Sequence, residues 1–420
     1  MTSLAPGLGN ILSNEFWLRP QDDIQAELDR YRSEHPVVFI DEPEMPPEVP
    51  LPQGEGAWIL TRHADILEVS RRSDVFSSAK GVTTLDNPPE LNEFFNSMIT
   101  MDDPRHARMR RIVSAGFTPR MLGRLEDSVQ DIAATIVDDL LDKGDVDFVV
   151  DVAARLPLKI VCDLMGIPES YYETVFDATN VILGAGDPEY VKDATDFLTA
   201  ILGAGTTLTG IMTEVAQAKE GGDGTDLTSV LVNAEVEGDK LTHAEIASFF
   251  NLLVVAGNET TRNAISWGLT YLTDNPDQRA IWADDFEGIA PTAIEEIVRM
   301  ASPVTYMRRT VTEDVELGGQ TLATGDKVCM FYLAGNRDPE AFENPHTFDV
   351  RRSPNNQAGF GGPGAHFCLG AHLARREITV MFRELFRRAP GVVATGEPDP
   401  LASSFIHGVK HLPASVSAAA

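Results

Sequence analysis

Residues Phe360 to Gly370 read FGGPGAHFCLG. Four glycines and a proline in eleven residues describe a rigid, close-packed loop. Cys368 stands at its end, before a helical run from about Leu369 to Arg388 that stops ahead of Pro390. A sulfur so placed faces free backbone N–H groups and the positive end of a helix dipole, and both lower a cysteine pKa. The loop is therefore expected to hold a thiolate with no basic side chain beside it, which suits iron. Three other readings compete. Gly359 to Gly364 (GFGGPG) matches a dinucleotide-binding GxGxxG pattern, but Pro363 and the missing βαβ context count against it. Cys368 and His366 as a catalytic pair would diverge, being two residues apart. An inert buried thiol would not need so many glycines.

Upstream of this loop the chain reads as mainly helical. Asp103-Pro104 and Thr118-Pro119 each resemble an N-cap followed by a first-turn proline. Thr242-His-Ala-Glu245 is a capping box that opens a periodic run lasting to Asn275-Pro276, roughly 46 Å of helix. Phe249, Leu253, Gly257, Thr260, Ala264 and Gly268 lie near one another along it, and apolar residues occupy most of its faces. Such a helix is expected to cross the middle of the protein. Short strand signals fall near Val37 and Trp58, and at Val315 to Leu317, Lys327 to Tyr332 and Val392 to Thr395. The class is mainly α with small β-sheets. Residues 1–20 read as a loosely attached arm, residues 41–56 as an acidic, Pro-rich loop, and the whole of 1–420 as one domain.

Composition narrows the function. Of 420 residues, 43% are hydrophobic, ample for a core. Lys plus Arg is 34 against 64 Asp plus Glu, for a net charge of −30. That argues against nucleic acid or an anionic membrane as the main partner. Apolar stretches such as Leu252 to Gly257 fall short of the roughly 20 residues a membrane span needs, and no secretory signal is read at the N-terminus. Cys162, Cys329 and Cys368 make no CxxC pair, so neither a disulfide framework nor a cysteine zinc site is expected. A reducing cytoplasm fits.

Three local patterns carry chemistry. A helical Thr260 can turn its hydroxyl onto the carbonyl of Ala256 and bend the helix, while Gly257 leaves room there for a diatomic ligand. Glu259 beside it is costly to bury without a role or a partner. Glu296 and Arg299 are three apart on one helix face and can pair. His106 and Arg110, four apart, form a cationic face suited to a carboxylate. Singly, each has a bland reading as solvent-facing or surface charge.

Together these segments resemble, in order, the motifs of cytochrome P450, and the resemblance covers nearly the whole chain. Phe360, Gly364, Cys368 and Gly370 resemble its haem-binding signature, with His366 two before the cysteine. Phe360 lies eight residues before Cys368, where seven is common; this FGGxGAHxC form is that of the branch oxidising sterols and methyl-branched lipids. The resemblance implies the P450 fold, a triangular prism with its long helix over the haem. It also implies non-covalent haem b with Cys368 as iron ligand. Ala256 to Thr261 (AGNETT) resembles the oxygen-activation motif, which makes Thr260 and Glu259 the proton relay beside Ala256 and Gly257. Glu296, Arg299 and Arg352, with Arg351 as the second choice, resemble a structural triad holding the cysteine loop. His106, Arg110, Arg309 and His366 resemble haem-propionate contacts.

The resemblance implies a monooxygenase using O2. A haem-thiolate sensor without turnover is the rival from another class, and the Glu259-Thr260 pair favours the enzyme. There is no space for a fused reductase, so electrons are expected from a separate ferredoxin and NAD(P)H-dependent ferredoxin reductase. Arg108, Arg111, Arg375 and Arg376 are candidates for a docking patch. The stretches PELNEFFNSMITMDDPRHARMRRIVSAGFTPR, ASFFNLLVVAGNETTRNAI and SPVTYMRRT resemble the methyl-branched-lipid ω-hydroxylases, with steroid 26-hydroxylases as the alternative. Both oxidise a terminal methyl, which demands a narrow, end-on channel. On the resemblance, Phe94, Phe95, Met98, Ile99, Val255, Ala256, Val304 and Phe405 are its expected lining.

Overall fold

The computed structural model describes residues 7–45, 49, 51–86, 97–116, 119–193, 196–233 and 240–416. Phe94, Phe95 and Thr118 lie outside them. A 32-residue helix, His243–Asp274, runs through the largest apolar cluster. The capping box sets its start: the Thr242 hydroxyl accepts from the Glu245 N–H at 3.1 Å, and the Glu245 carboxylate accepts from the Thr242 N–H at 2.9 Å. Asn275 caps its end, and Pro276 opens the next helix. At 1.5 Å per residue this central helix is about 48 Å long. Ile246, Phe250, Val254, Ile265 and Leu269 are all buried, so it is a core strut.

Helices Arg155–Met165, Tyr172–Gly184 and Phe197–Lys219 pack on the central helix. Phe197–Lys219 is long and apolar enough, by length and composition, to cross a membrane. That corrects the expectation that every apolar stretch falls short. Its run from Ile201 to Gly210 (ILGAGTTLTG) avoids charge through glycine, alanine and threonine rather than through large apolar groups. Here it lies along the central helix, where Asn251 Nδ2 donates to Thr209 Oγ1 at 3.0 Å. Helix Arg105–Gly116 opens where expected, with Asp103 Oδ1 accepting from the Ala107 N–H at 3.0 Å. The last helix, Ala371–Arg388, ends at Ala389, just before Pro390.

A five-stranded sheet orders its strands as Val37–Ile40, Ala57–Leu60, Lys327–Phe331, Tyr306–Val311 and Phe76–Ser77. Ala57–Leu60 and Lys327–Phe331 run parallel, and the other pairs antiparallel. Period-two alternation sends Cys329 and Phe331 into one apolar cluster and Val328 and Met330 into another. The strand is therefore buried on both faces, as the apolar run Val328 to Phe331 requires. Val315–Leu317 and Gln320–Leu322 form a hairpin closed by Gly318 and Gly319, whose φ values of +55° and +80° fit the two-residue turn only glycine adopts freely.

From Leu8 onward the N-terminal arm is packed down, not loose. Leu8, Ile11, Leu12, Phe16 and Trp17 are buried, and Trp17 stacks on Phe331 at 6.5 Å. Asn14 Oδ1 accepts from the Ser404 N–H at 2.9 Å, and Gln21 Oε1 meets His407 Nε2 at 3.0 Å. The arm's large apolar side chains gain more by covering the sheet than the segment loses in freedom.

Candidate active site

The cysteine loop is shaped by close approaches. A Cβ on Gly364, whose φ is +158°, would lie 2.1 Å from the Ser70 carbonyl oxygen, so the loop rests directly on helix His63–Arg71. The Cys368 N–H donates to the Phe360 carbonyl at 3.0 Å, and the Arg375 guanidinium covers the Phe360 ring at 4.3 Å. The Gly370 and Ala371 N–H groups point at the Cys368 sulfur, at the start of the last helix. The expected electrostatics are corrected in two respects. Burial pushes the Cys368 pKa up, against the pull of the Gly370 N–H, Arg110, Arg375 and the Ala371 N–H. Basic side chains therefore do stand near the sulfur, and the free loop alone does not ionise it.

His106, Arg110, Arg309 and His366 come together at the edge of this loop. The His106 and His366 rings lie 4.2 Å apart. Arg110 donates to the Ala365 and Phe367 carbonyls at 2.9 and 2.7 Å, bracing the loop. Arg309 is buried and donates to the Arg308 carbonyl at 2.7 Å. His366 is pushed down to about 3 by burial and by the charges of Arg309, His106 and Arg110, so it is neutral at working pH. His106 Nδ1 meets Asp103 at 3.3 Å, while its buried Nε2 has no hydrogen-bond partner among the described residues. A cavity of about 330 Å³ opens alongside, lined by Asp102, Asp103, His106, Ala365 and His366 among others.

On the central helix, Thr260 Oγ1 donates to the Ala256 carbonyl at 2.7 Å, as its spacing predicts. Ala256 is exposed on a helix otherwise largely buried, so this face lines a cleft. Glu259 points elsewhere. It is buried, ion-paired with Arg262 Nη2, and accepts from Asn263 Nδ2 at 3.1 Å. Arg262 in turn donates to Asn180 Oδ1 at 2.9 Å on helix Tyr172–Gly184. Glu259 and Arg262 have the same three-residue spacing as Glu296 and Arg299, so the sequence carries the same signal for both pairs.

Glu296 is the hub of a buried cluster. It accepts from Arg299 Nε and Nη2 at 2.7 and 2.8 Å, from Arg352 Nε at 3.0 Å, from Asn355 Nδ2 at 3.1 Å and from the Asp349 N–H at 3.0 Å. Arg352, not the exposed Arg351, completes the set. Arg299 and Arg352 also donate to the Asn336, Glu343, Pro345 and Thr347 carbonyls. The cluster thereby pins the segment leading into the cysteine loop.

The sequence pattern of the cytochrome P450 family matches residues 205–281 and 289–393. A methyl-branched lipid omega-hydroxylase of Mycobacterium tuberculosis is 49% identical over 96% of this chain and 94% of its own length. The chain belongs to the cytochrome P450 family. A steroid C26-monooxygenase of Mycolicibacterium smegmatis is 38% identical over 92% of this chain and 88% of its own. A Mycobacterium marinum cytochrome P450 solved in complex with pseudoionone superposes with a TM-score of 0.91 at 42% identity, covering 99% of this chain and all of that one.

This cytochrome P450 is a monooxygenase whose cofactor is thiolate-ligated haem b. The residues present fit that group. The loop offers a sulfur with two N–H groups aimed at it, and the rim offers two guanidinium and two imidazole groups, one with an unpartnered nitrogen, for carboxylate arms. When bound, the haem iron supplies the oxidising power, helped by electron donation from the thiolate.

Of the expected channel residues in this P450, Val304 and Phe405 are brought together, through the Val304–Ile406 bridge and the Thr305 N–H on the Phe405 carbonyl at 2.8 Å. Ile99, Val255, Val304 and Phe405 are half-buried, whereas Met98 is sunk in the core. The expected cationic patch is partly neutralised: Arg108 pairs with Glu245 at 3.0 Å and Arg375 with Glu295. Phe367, beside Cys368, is exposed. Several buried acids escaped the sequence reading, among them Glu377 on the last helix, beside the central helix. Glu377 is pushed up to about 8 by burial, against a hydrogen bond with Thr261. In sequence it follows Arg375-Arg376 and reads as surface charge. Only its place on the inner face of the last helix marks it out.

Proposed function

We propose that residues 1–420 form one catalytic domain in which Cys368 is the iron ligand, that His106, Arg110, Arg309 and His366 bind the haem carboxylates, and that the enzyme hydroxylates the terminal methyl of methyl-branched lipids. The observation that carries the substrate reading is 49% identity to a methyl-branched lipid omega-hydroxylase over nearly the full length of both chains. Phe360, Gly364 and Gly370 shape the loop around the sulfur, and Ala256 is exposed beside Thr260; the room expected at Gly257 is instead taken by helix Arg155–Met165, since a Cβ on Gly257 would lie 2.9 Å from Val161 Cγ2. Ile99, Val255, Val304 and Phe405, with Phe94 and Phe95 beyond the described residues, narrow the channel so that only a chain end reaches the Thr260 face of the central helix, while Met98 packs in the core behind them. A branched terminus fills such a channel better than a linear one. An extra methyl in an apolar pocket is worth roughly 1–3 kcal/mol, so the preference is clear but not absolute. Matched branched and linear fatty acids and isoprenoids, mapped by mass spectrometry, are expected to give terminal alcohols from the former and mixed ω and ω−1 alcohols from the latter. Equal turnover, or oxidation at internal carbons, would defeat the terminal-methyl reading. A steroid side chain ends in the same branched methyl, and the 38% relative named as a steroid C26-monooxygenase keeps that substrate as the second arm of the same screen.

Thr260 holds and passes a proton at Oγ1. Its hydroxyl is anchored on the Ala256 carbonyl and stands on the helix face where Ala256 is exposed. Glu259, gripped by Arg262 and Asn263, supplies protons only when that grip loosens. Positioned proton transfer contributes about 10²- to 10⁴-fold. Thr260→Ala is therefore expected to bind substrate and accept electrons normally while forming far less product and more hydrogen peroxide per NAD(P)H consumed. Unchanged coupling would remove Thr260 from the mechanism. The proposed electron source is a cytoplasmic ferredoxin with its NAD(P)H-dependent reductase. Exposed Phe367 and Arg111 offer an apolar centre and a charged rim for docking.

A further inference from the structure

Strand Val409–His411 carries two cations that reach the loop following helix Tyr172–Gly184. Lys410 Nζ lies 3.3 Å from Asp187, 3.2 Å from Glu189 and 3.6 Å from Asp399. His411 bridges two carboxylates, Asp147 at Nδ1 and Glu189 at Nε2, the latter at 3.0 Å. Asp187 is buried and accepts from the Ala402 N–H at 2.9 Å, which places this loop against the segment that bears Phe405. Tyr190 of the same loop is close enough to Arg262 and Glu259 for their charges to act on it. From the other side, the Val409 N–H donates to Asn263 Oδ1 at 3.0 Å, and Asn263 holds Glu259. One polar cluster thus joins the loop, the C-terminal strand and the Glu259 network.

We propose that Lys410 and His411 form a proton-dependent clasp that holds the Asp187–Tyr190 loop on the rim of the substrate cleft, and that loss of the His411 proton frees its Glu189 end. The clasp rests on the reading of the Thr260 face of the central helix as the substrate site. An imidazole can donate to two carboxylates only when both ring nitrogens carry hydrogen. Neutral His411 keeps one N–H and turns a lone pair toward the other carboxylate. Asp147 is fixed by the Val149 and Leu412 N–H groups at 3.0 and 3.2 Å, so it keeps its bond. Glu189, exposed on the loop, is the partner released.

The charged groups facing His411 are Asp147 from strand Asp145–Asp147, Glu189 and Asp187 from the loop, Asp399 from the strand paired with its own and Lys410 beside it. Partial burial pulls the His411 pKa down, but the hydrogen bonds to Asp147 and Glu189 outweigh it and hold it above the usual 6.5. The clasp is therefore whole below pH 6.5 and loosens as the pH rises through that raised value.

Two readouts on the holoenzyme test this without the native lipid. Backbone hydrogen exchange of residues 185–193 reports the loop directly. Stopped-flow association of 4-phenylimidazole, a haem-binding probe, reports access. Across pH 6 to 9 the wild type is expected to lose protection in the loop and to bind the probe about 2- to 5-fold faster, the range of a partly exposed ion pair. His411→Phe is expected to be fast at every pH and to show only the probe's own deprotonation, which serves as the baseline for the wild type. Lys410→Met is expected to be faster at every pH yet to keep the step. A wild type whose pH profile is the same as that of His411→Phe, in probe binding and in loop protection, overturns the clasp. Failure of branched lipids to turn over would count against the substrate reading alone.

Discussion

Cys368→His is expected to abolish the strongly red-shifted Soret band of the ferrous carbon monoxide adduct, while Cys162→Ser and Cys329→Ser leave it intact. Thiolate ligation belongs to the family; what is at stake is the residue. Cys162 and Cys329 are fully buried in apolar clusters, and burial pushes each up to about 12. Neither offers the iron a charged sulfur. Cys368 is also raised by burial, but two N–H groups and two arginines oppose that shift. A coordinated metal ion deprotonates a thiol outright, and the loop then needs only to keep the thiolate hydrogen-bonded. Carbon monoxide difference spectra of the three variants, at equal haem content, decide it. Loss of the band in Cys162→Ser or Cys329→Ser, with fold and haem retained, would overturn the assignment.

Glu296→Ala and Arg299→Ala are each expected to yield protein with little haem. Both side chains are fully buried and paired. Removing Arg299 leaves Glu296 short of two hydrogen bonds, and removing Glu296 strands two guanidinium groups and the Asn355 amide. Breaking a buried pair costs about 3–5 kcal/mol, a large share of a protein's net stability. Arg352 and Asn355 lie on the segment entering the cysteine loop, so the damage spreads to the sulfur. Haem content, measured as pyridine haemochrome per mole of protein, is the readout. Arg351→Ala is the control and is expected to load normally, since Arg351 is exposed. Normal haem with altered products in Glu296→Ala would contradict a structural role.

Local rules made much of this site legible. The Thr242 capping box, the Thr260 hydroxyl on the Ala256 carbonyl and the Glu296–Arg299 pair each depend on residues three or four apart, where helix geometry dictates the contact. Arg352 needed the structure, because two adjacent arginines differ only in which way the chain turns them. Long-range packing accounts for what was misread. The N-terminal arm looked loose because the sheet face that buries Trp17 is formed by Phe331, far along the chain. The strand Tyr306–Val311 went unmarked because its Arg308 and Arg309 break the apolar pattern, and both are nevertheless buried. The sulfur's environment was misjudged because burial, a property of the whole fold, outweighs the local dipole.

The stitching of the arm to the far end of the chain has a practical consequence. Asn14 holds the Ser404 backbone, Gln21 holds His407, and His407 stacks on Trp267 of the central helix at 4.5 Å. Phe405 lies between those two stitches in the sequence. Shortening the protein for expression or crystallisation by cutting into residues 8–21 would therefore do more than trim a tail. It would unlace the segment that bears Phe405, and a clipped enzyme would be expected to load haem yet misjudge the length of its substrate. A fusion partner is better joined ahead of Leu8, with the arm from Leu8 to Gln21 left whole.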